Sequence, residues 1–389
     1  MADERLSRLL SKARRLPLSP GVYIMKNASG SVIYGKNEHT TASMASTTKI
    51  LTTLIALEHS QAEDNEVTFT KEMIAEGSSM YLKEGYRLHL SDLATGMMTV
   101  SGNDAANAAA IAVAGSIDKF AKLMNNKAKQ IGMTSTNFVT PSGLDDDNHY
   151  STALDMAKLM SYAMANKDFA QLTALKNAKV EFISPENMVV SYSNHNRLLS
   201  LYKYCNGGKT GFTKKSGRCL VTSAEKDGVK LIAVTLNAPD DWNDHASLLE
   251  AGFSRFSQKQ VVVKGQSVGT LEVAGGQSRK VEVLAAEDFF YAVAPEETPQ
   301  LMLPGPGFVY APAVEGADAG VAYVLIEGKA VGKVPVVFGE TIEQLPEEEL
   351  CLRSASLLRP LFWPLRQRRD QLPGEQSQPF LLRKEPPQW

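Results

Sequence analysis

The chain opens with two short apolar-rich runs, residues 21–26 and 31–35, on either side of Asn27-Ala28-Ser29-Gly30. Val, Ile and Tyr bracketing an Asn/Gly-bearing turn predict a β-hairpin. From Ser46 the texture changes, because Ile50, Leu51, Leu54, Ile55 and Leu57 are densely spaced without Pro or Gly. That spacing predicts a buried helix. Helical patterns continue over residues 90–100, 104–114, 117–131, 153–166 and 167–175, so the middle of the chain reads as mainly α. After Gly207-Gly208 the pattern becomes strand-like at 209–213, 218–224 and 229–237, and residues 245–256 predict a closing helix. Beyond Lys259, Val-rich runs at 261–263, 268–273, 280–284, 289–293, 322–326 and 330–337 alternate with Gly/Pro turns. These predict a small β-domain.

At 389 residues the chain has room for a large core and two domains. Its 41 basic and 43 acidic residues nearly cancel, and no Lys/Arg stripe with interleaved aromatics appears in the body. Nucleic acid is therefore not expected as a partner. No run of 18 apolar residues predicts a transmembrane helix. Cys205, Cys219 and Cys351 are too few and too scattered for a disulfide framework or a zinc site and are expected to be free thiols. Residues 1–20 carry Arg5, Arg8, Lys12, Arg14 and Arg15 but no apolar core of a signal peptide.

Three motifs carry the chemistry: Ser46-Thr47-Thr48-Lys49, Ser101-Gly102-Asn103 and Lys209-Thr210-Gly211. Each has decoys, since Ser-x-x-Lys recurs at Ser116, Ser200 and Ser223, Ser-x-Asn at Ser135, and Lys-Ser-Gly at Lys215. Only the ordered set discriminates. A serine hydroxyl needs a base within hydrogen-bond reach to attack a carbonyl. Ser46 and Lys49, three apart on a helix, share a face, and Lys49 can serve as that base if burial and a second cation, Lys209, make its neutral form accessible. Ser46 at a helix start also places donors and a positive dipole end near a developing oxyanion. On an edge strand, the Lys209 ammonium and Thr210 hydroxyl suit a terminal carboxylate, and Gly211 clears space where a substrate backbone passes. A requirement for a free carboxylate selects a carboxypeptidase over an endopeptidase.

The set resembles the penicillin-interacting serine D-Ala-D-Ala carboxypeptidases, the low-molecular-mass penicillin-binding proteins, over roughly residues 20–345. The likeness extends to Met44-Ala45 before the first motif, Asp104-Ala105-Ala106-Asn107 after the second, Gly143-Leu144-Asp145-Asp146, His149-Tyr150-Ser151-Thr152, and Gly208 and Phe212-Thr213 around the third. It implies an α/β (α+β) serine β-lactamase/transpeptidase-like domain, an antiparallel sheet with helices on both faces, followed by a small all-β domain. The expected organisation is an extension at 1–20, a catalytic domain at 21–257, a β-rich domain at 258–346 and a basic, low-order tail or weak membrane anchor at 347–389. In that tail, Leu357, Leu358, Leu361, Phe362, Trp363 and Leu365 lie among Arg359, Arg366, Arg368 and Arg369, a composition suited to a membrane interface. Pro360 and Pro364 break the helix an anchor needs, which favours the low-order tail.

By the family pattern, Ser101 relays a proton between Lys49 and the leaving amine, Asn103 binds the substrate peptide, and the backbone N–H groups of Ser46 and Phe212 form the oxyanion hole. The implied substrates are peptidoglycan stem peptides ending in D-Ala-D-Ala, with β-lactams as covalent inhibitors, no cofactor, and a location on the cell-wall side of the bacterial cytoplasmic membrane. Two rival readings stand beside this one. A class A β-lactamase needs a deacylating glutamate between the second and third motifs, where Glu181 and Glu186 are the only ones and lie outside that family's setting. A non-catalytic peptidoglycan sensor would be favoured by a broken motif, and none is broken. Lys215-Ser216-Gly217 reads as hairpin turn chemistry, and Asp145, Asp146, Asp147 with His149 as a solvated structural loop rather than a metal site.

Overall fold

The computed structural model describes residues 22–26, 32–305 and 307–349, with side chains from residue 32 onward. The expected N-terminal extension, the first hairpin turn, Cys351 and the tail from residue 350 lie outside the described residues.

The expected hairpin forms from β1 (Val22–Lys26) and β2 (Val32–Lys36). A 3-10 turn at Ala45–Thr48 leads directly into α1 (Lys49–Ser60), whose residues 49–57 are all buried. An apolar helix with no polar face has to be surrounded by other elements. Among the helices packed against it are α2 (Leu90–Thr99), α3 (Asn103–Ala114), α4 (Ile117–Ile131) and α5 (Ala153–Ala163). Helix α4 spans the expected residues, with the Ser116 hydroxyl accepting from Lys119 N to cap its first turn. The shorter α6 (Lys167–Thr173) follows, capped by Asn166.

Two ribbons interrupt this helical middle that the pattern did not predict. One pairs β3 (Glu66–Thr68) with β4 (Arg87–His89), and the other pairs β5 (Asn177–Glu181) with β6 (Val189–Ser193). After a single turn of helix, α7 (Leu198–Leu201), come β7 (Cys205–Thr213), β8 (Gly217–Lys226) and β9 (Val229–Thr235), then α8 (Asp241–Arg255). The sheet is antiparallel, five strands in the order β2-β1-β9-β8-β7, so its strands come from both ends of this region and β7 is an edge.

Alternation along β9 shows why helices cover both faces. Ile232 and Val234 join the core built with α1 and α5, whereas Leu231 and Ala233 join Leu248, Leu249 and Phe253 of α8. Strand β7 starts four residues before the expected strand and runs through Gly207-Gly208. Asn206 is an extra residue in it, a bulge between the pairs Cys205↔Ala224 and Gly207↔Ser223. Just beyond the bulge, the Thr173 hydroxyl accepts from Gly208 N (2.9 Å) and donates to Gly208 O (3.1 Å).

The C-terminal strands are β10 (Ser257–Val262), β11 (Ser267–Ala274), β12 (Lys280–Ala285), β13 (Phe289–Val293), β14 (Gln300–Met302), β15 (Phe308–Tyr310), β16 (Asp318–Ile326) and β17 (Lys329–Phe338). The sequence reading sets one boundary between 257 and 258, while the two compact units interleave along the chain. One holds residues through 263 with 288–301 and 323–333; the other holds 264–287, 302–322 and 334 onward. In the first, β10 pairs with β13, and Ala292 and Ala294 share a core with α8. In the second, β12 lies between β11 and the end of β17, β11 also pairs in parallel with β15, and Leu271, Val281, Val283, Val336 and Ile342 form the core.

His245 ties α8 to the sheet. Fully buried, it lies 2.6 Å from Thr222 Oγ1 through Nδ1 and 3.1 Å from Thr235 Oγ1 through Nε2. Burial pushes its pKa down to about 3. Between that value and the usual ~6.5 of an unfolded histidine, the unfolded chain binds a proton that the folded chain refuses. This group's contribution to stability is therefore lost as pH falls through that window. Denaturation midpoints of the wild type should drop between pH 7 and 5, and the drop should be shallower in His245→Gln; an equal or steeper drop in the variant would contradict the assignment.

Candidate active site

Ser46 sits inside the 3-10 turn and Lys49 is the first residue of α1. Residues i and i+3 of a 3-10 helix eclipse one another, and Lys49 Nζ lies 2.9 Å from Ser46 Oγ. Ala45, immediately before the serine, has a φ of 46°. The turn is clamped from two sides by glycines. A Cβ on Gly211 would stand 2.9 Å from Met44 O and 3.1 Å from Ser46 N, and one on Gly143 would overlap the Ala45 carbonyl. The bareness of Gly211 therefore serves first the approach of β7 to the serine turn, within the protein itself.

Lys49 is fully buried and touches no carboxylate; its partners are Ser46 Oγ, Asn103 Oδ1 (2.6 Å) and Ser142 O (2.6 Å). The Asn103 amide is oriented by its other end, where Nδ2 donates to Glu76 O at 2.6 Å, an oxygen that can only accept. Asn103 Oδ1 and Ser142 O likewise only accept. A neutral Lys49 amine spends its two N–H bonds on them and turns its lone pair to the Ser46 hydroxyl. Burial, reinforced by the nearby charge of Lys209 and opposed by Asp104, holds the Lys49 pKa well below the usual lysine value. The arrangement can take a proton from Ser46.

Lys209 is also buried, and its Nζ donates to Ser101 Oγ (3.1 Å) and Thr210 O (2.8 Å), with Thr210 Oγ1 at 3.5 Å. Burial pushes its pKa down to about 7. The hydroxyl of Ser101, a residue with a φ of 63°, therefore contacts Lys209, whereas the sequence reading linked it to Lys49. Asn103 differs from expectation too. With Oδ1 on Lys49 and one N–H on Glu76, it keeps a single amide hydrogen for a ligand. Phe212 extends the edge strand with an exposed ring.

Sequence reasoning assigned no role to Asp104. The buried Asp104 carboxylate accepts from Ser79 Oγ (2.6 Å), Met80 N (2.9 Å) and Leu82 N (3.1 Å), fixing the loop beside Asn103. Its position directly after Ser101-Gly102-Asn103 was the available signal. His149, expected in a solvated loop, is buried. Its Nδ1 accepts from Val139 N (2.9 Å) and Thr140 N (3.2 Å), so its proton resides on Nε2 and is donated to Thr48 Oγ1 at 2.8 Å. Burial lowers its pKa to about 4, and both ring nitrogens are occupied by the protein. Around it, Asp145 accepts from Thr213 Oγ1 (2.9 Å) and Asp147 from Lys215 (2.6 Å). No metal-holding group of three or more His, Cys, Asp or Glu occurs among the described residues. Ser216 bonds to Thr213 within the β7–β8 turn, the turn chemistry expected of that segment. Cys205 and Cys219 are free thiols whose pKa burial raises to about 11.

A family model described as D-alanyl-D-alanine carboxypeptidase matches residues 19–240, more than half of the chain. The chain belongs to that family. Residues 256–344 match a second model, the C-terminal domain of penicillin-binding protein 5. Among relatives of this carboxypeptidase family member, D-alanyl-D-alanine carboxypeptidase DacC of Escherichia coli is 32% identical over 340 residues, covering 82% of this chain and 83% of the relative. DacB2 of Mycobacterium tuberculosis is 34% identical over 241 residues, covering 60% and 81%. The crystal structure of penicillin-binding protein 5 from Haemophilus influenzae superimposes with a TM-score of 0.63 at 26% identity, covering 83% of this chain and 97% of that one. The antiparallel sheet covered on both faces and the β-rich C-terminal region agree with the expected fold.

The two buried lysines give the family member a distinctive pH response. Lys209 in the unfolded chain holds its proton to ~10.4, but in the folded chain only to about 7. Between those values the unfolded state binds more protons, so the Lys209 contribution makes stability rise with pH. From pH 7 to 8.5 the denaturation midpoint should climb more in wild type than in Lys209→Met, the ionisation of unfolded thiols at ~8.5 being common to both proteins. A climb of equal size in both would show that Lys209 is protonated in the fold.

Proposed function

We propose that this protein is a serine-type D-Ala-D-Ala carboxypeptidase that removes the terminal D-Ala from peptidoglycan stem peptides through an acyl-enzyme on Ser46. The observation that carries this reading is the Lys49 amine, buried without a counter-ion, 2.9 Å from Ser46 Oγ. Ser46 Oγ attacks the carbonyl carbon of the penultimate D-Ala while its proton passes to Lys49 Nζ. Backbone N–H groups of Ser46 and Phe212 hold the oxyanion. The C–N bond then breaks as the proton gained by Lys49 passes to the departing amine by way of Ser101. Water attacks the ester and gives a proton to Lys49, which returns it to Ser46 Oγ as the shortened peptide leaves.

Lys209 and Thr210 receive the terminal carboxylate, and that anion restores the charge on Lys209. The remaining hydrogen of the Asn103 amide binds the acyl part of the peptide. β-Lactams acylate Ser46 because their strained amide presents the same carbonyl beside a carboxylate. Glu181 and Glu186 are both exposed on the ribbon of β5 and β6 and its turn, and neither carries a contact to Ser46 or Lys49 among the described residues. This supports deacylation without a glutamate and disfavours the class A β-lactamase reading. Stem peptides lie outside the cytoplasmic membrane, so the reading places the working protein on the cell-wall side. Among the described residues no helix is long and apolar enough to cross a membrane.

The deciding experiment is mass spectrometry of the protein mixed with benzylpenicillin and, separately, with diacetyl-Lys-D-Ala-D-Ala. Wild type should carry a persistent penicilloyl adduct on Ser46 and release D-Ala; Ser46→Ala should do neither. Lys49→Ala should slow acylation by about 10²–10⁴-fold, the usual range for loss of a positioned base. Lowering the pH should slow acylation of the wild type as Lys49 takes up its proton. Rapid turnover of penicillin without peptide cleavage would establish a β-lactamase, and absence of both reactions a binding module.

A further inference from the structure

Eight described residues other than glycine have a positive φ, and four of them are Asn or Asp, which tolerate that region. Glu327 sits in the turn between β16 and β17. The other three are Ala45, Ser101 and Tyr81. Ala45 and Ser101 belong to the site. Tyr81, at φ 62°, is a bulky aromatic in a conformation that L side chains rarely adopt and that persists only where its surroundings impose it.

Those surroundings are bonded to the same segment that carries Asn103. Asp104 accepts from the backbone N–H groups on both sides of the tyrosine, Met80 and Leu82. Ser79 Oγ, itself donating to Asp104, accepts from Tyr81 N at 2.7 Å. Tyr192 Oη donates to Met80 O at 3.1 Å, and the Met80 side chain is buried in the main core. Upstream in the same loop, Glu76 O and Ser78 O accept from Asn103 Nδ2 and Asn103 N. Every neighbour is held down, yet Tyr81 is 81% exposed. An isolated exposed aromatic needs no explanation. One whose backbone stands in the left-handed region, between two amides bonded to the buried carboxylate next to Asn103 in the chain, does.

We propose that Tyr81 is a specificity residue of this site, presenting its ring to the side chain of the residue that precedes D-Ala-D-Ala in the substrate. The inference rests on the carboxypeptidase reading above. The carboxylate end of the substrate belongs to Lys209 and Thr210, whereas the loop bearing Tyr81 is bonded to Asn103 and Asp104, which places the ring on the acyl side. A flat aromatic face suits a long aliphatic stem, such as that of an acylated diamino acid, and a glycine at that substrate position offers it nothing to cover.

The test compares kcat/KM for D-Ala release from diacetyl-Lys-D-Ala-D-Ala and from acetyl-Gly-D-Ala-D-Ala in wild type, Tyr81→Ala, Tyr81→Phe and Tyr81→Gly, with melting temperatures for all four proteins. The preference for the lysyl over the glycyl peptide should fall about tenfold in Tyr81→Ala and Tyr81→Gly, within the range expected for loss of an apolar contact. Tyr81→Phe should retain it. Tyr81→Gly, relieved of the strained φ, should melt no lower than wild type. An unchanged preference in Tyr81→Ala, or equal losses on both peptides with a lowered melting temperature in Tyr81→Gly, would assign the ring to packing and overturn the proposal. If wild type releases D-Ala from neither peptide and forms no penicilloyl adduct, the carboxypeptidase reading itself fails, a result distinguishable from either of these.

Discussion

A lysine amine buried without a carboxylate beside it is the constraint on which the rest of this structure depends. Charged, Lys49 would have to give up its hydration in exchange for three neutral oxygens, a trade that costs several kcal/mol. Losing the proton is the cheaper course. That outcome holds only while α1 is wrapped on every side and while Lys209, a second buried cation, stays close. Among the described residues the negative charge that pulls the other way is Asp104, and its oxygens are committed to a serine hydroxyl and backbone N–H groups. The packing of the α-helical core and the acid–base state of the serine are in this sense one property.

Rigidity around the serine comes from backbone rather than from side-chain bulk. The positive φ values of Ala45 and Ser101, and the clearances at Gly211 and Gly143, let three separate segments meet at atomic contact. His149 extends the same logic to the loop after Ser142. With both nitrogens committed to the protein it acts as a neutral strut, and the carbonyl of Ser142 is presented to Lys49 at 2.6 Å.

Much of this was legible in the sequence, and the failures have identifiable causes. Long periodic helices such as α4 were placed to the residue, because their pattern and Ser116 cap are local. The strand over 209–213 was read too short, since Gly207-Gly208 resembles a break when the Thr173 clasp that holds it is unseen. The ribbon of β5 and β6 escaped notice because NAKVE and VVSYS are short and each buries a single side chain, Val180 and Tyr192. At the site, the three motifs named residues that the fold brings together in pairs, Ser46 with Lys49 and Ser101 with Lys209. The partners did not follow: that Asn103 is engaged at both ends, or that Ser101 faces Lys209, depends on which distant carbonyl or ammonium the fold brings near.

The bulge at Asn206 has a bearing on how this chain can change. Side chains on a strand alternate between faces, so one residue more or fewer ahead of Lys209 would exchange the places of the third motif's alternate members. The ammonium now turned toward Ser101 would be carried to the opposite side, and the gap left by Gly211 would no longer face the serine turn. Insertions and deletions in the short stretch between α7 and the third motif are thus more damaging than most substitutions there. At this point of the chain the number of residues is constrained more tightly than the identity of the one at the bulge.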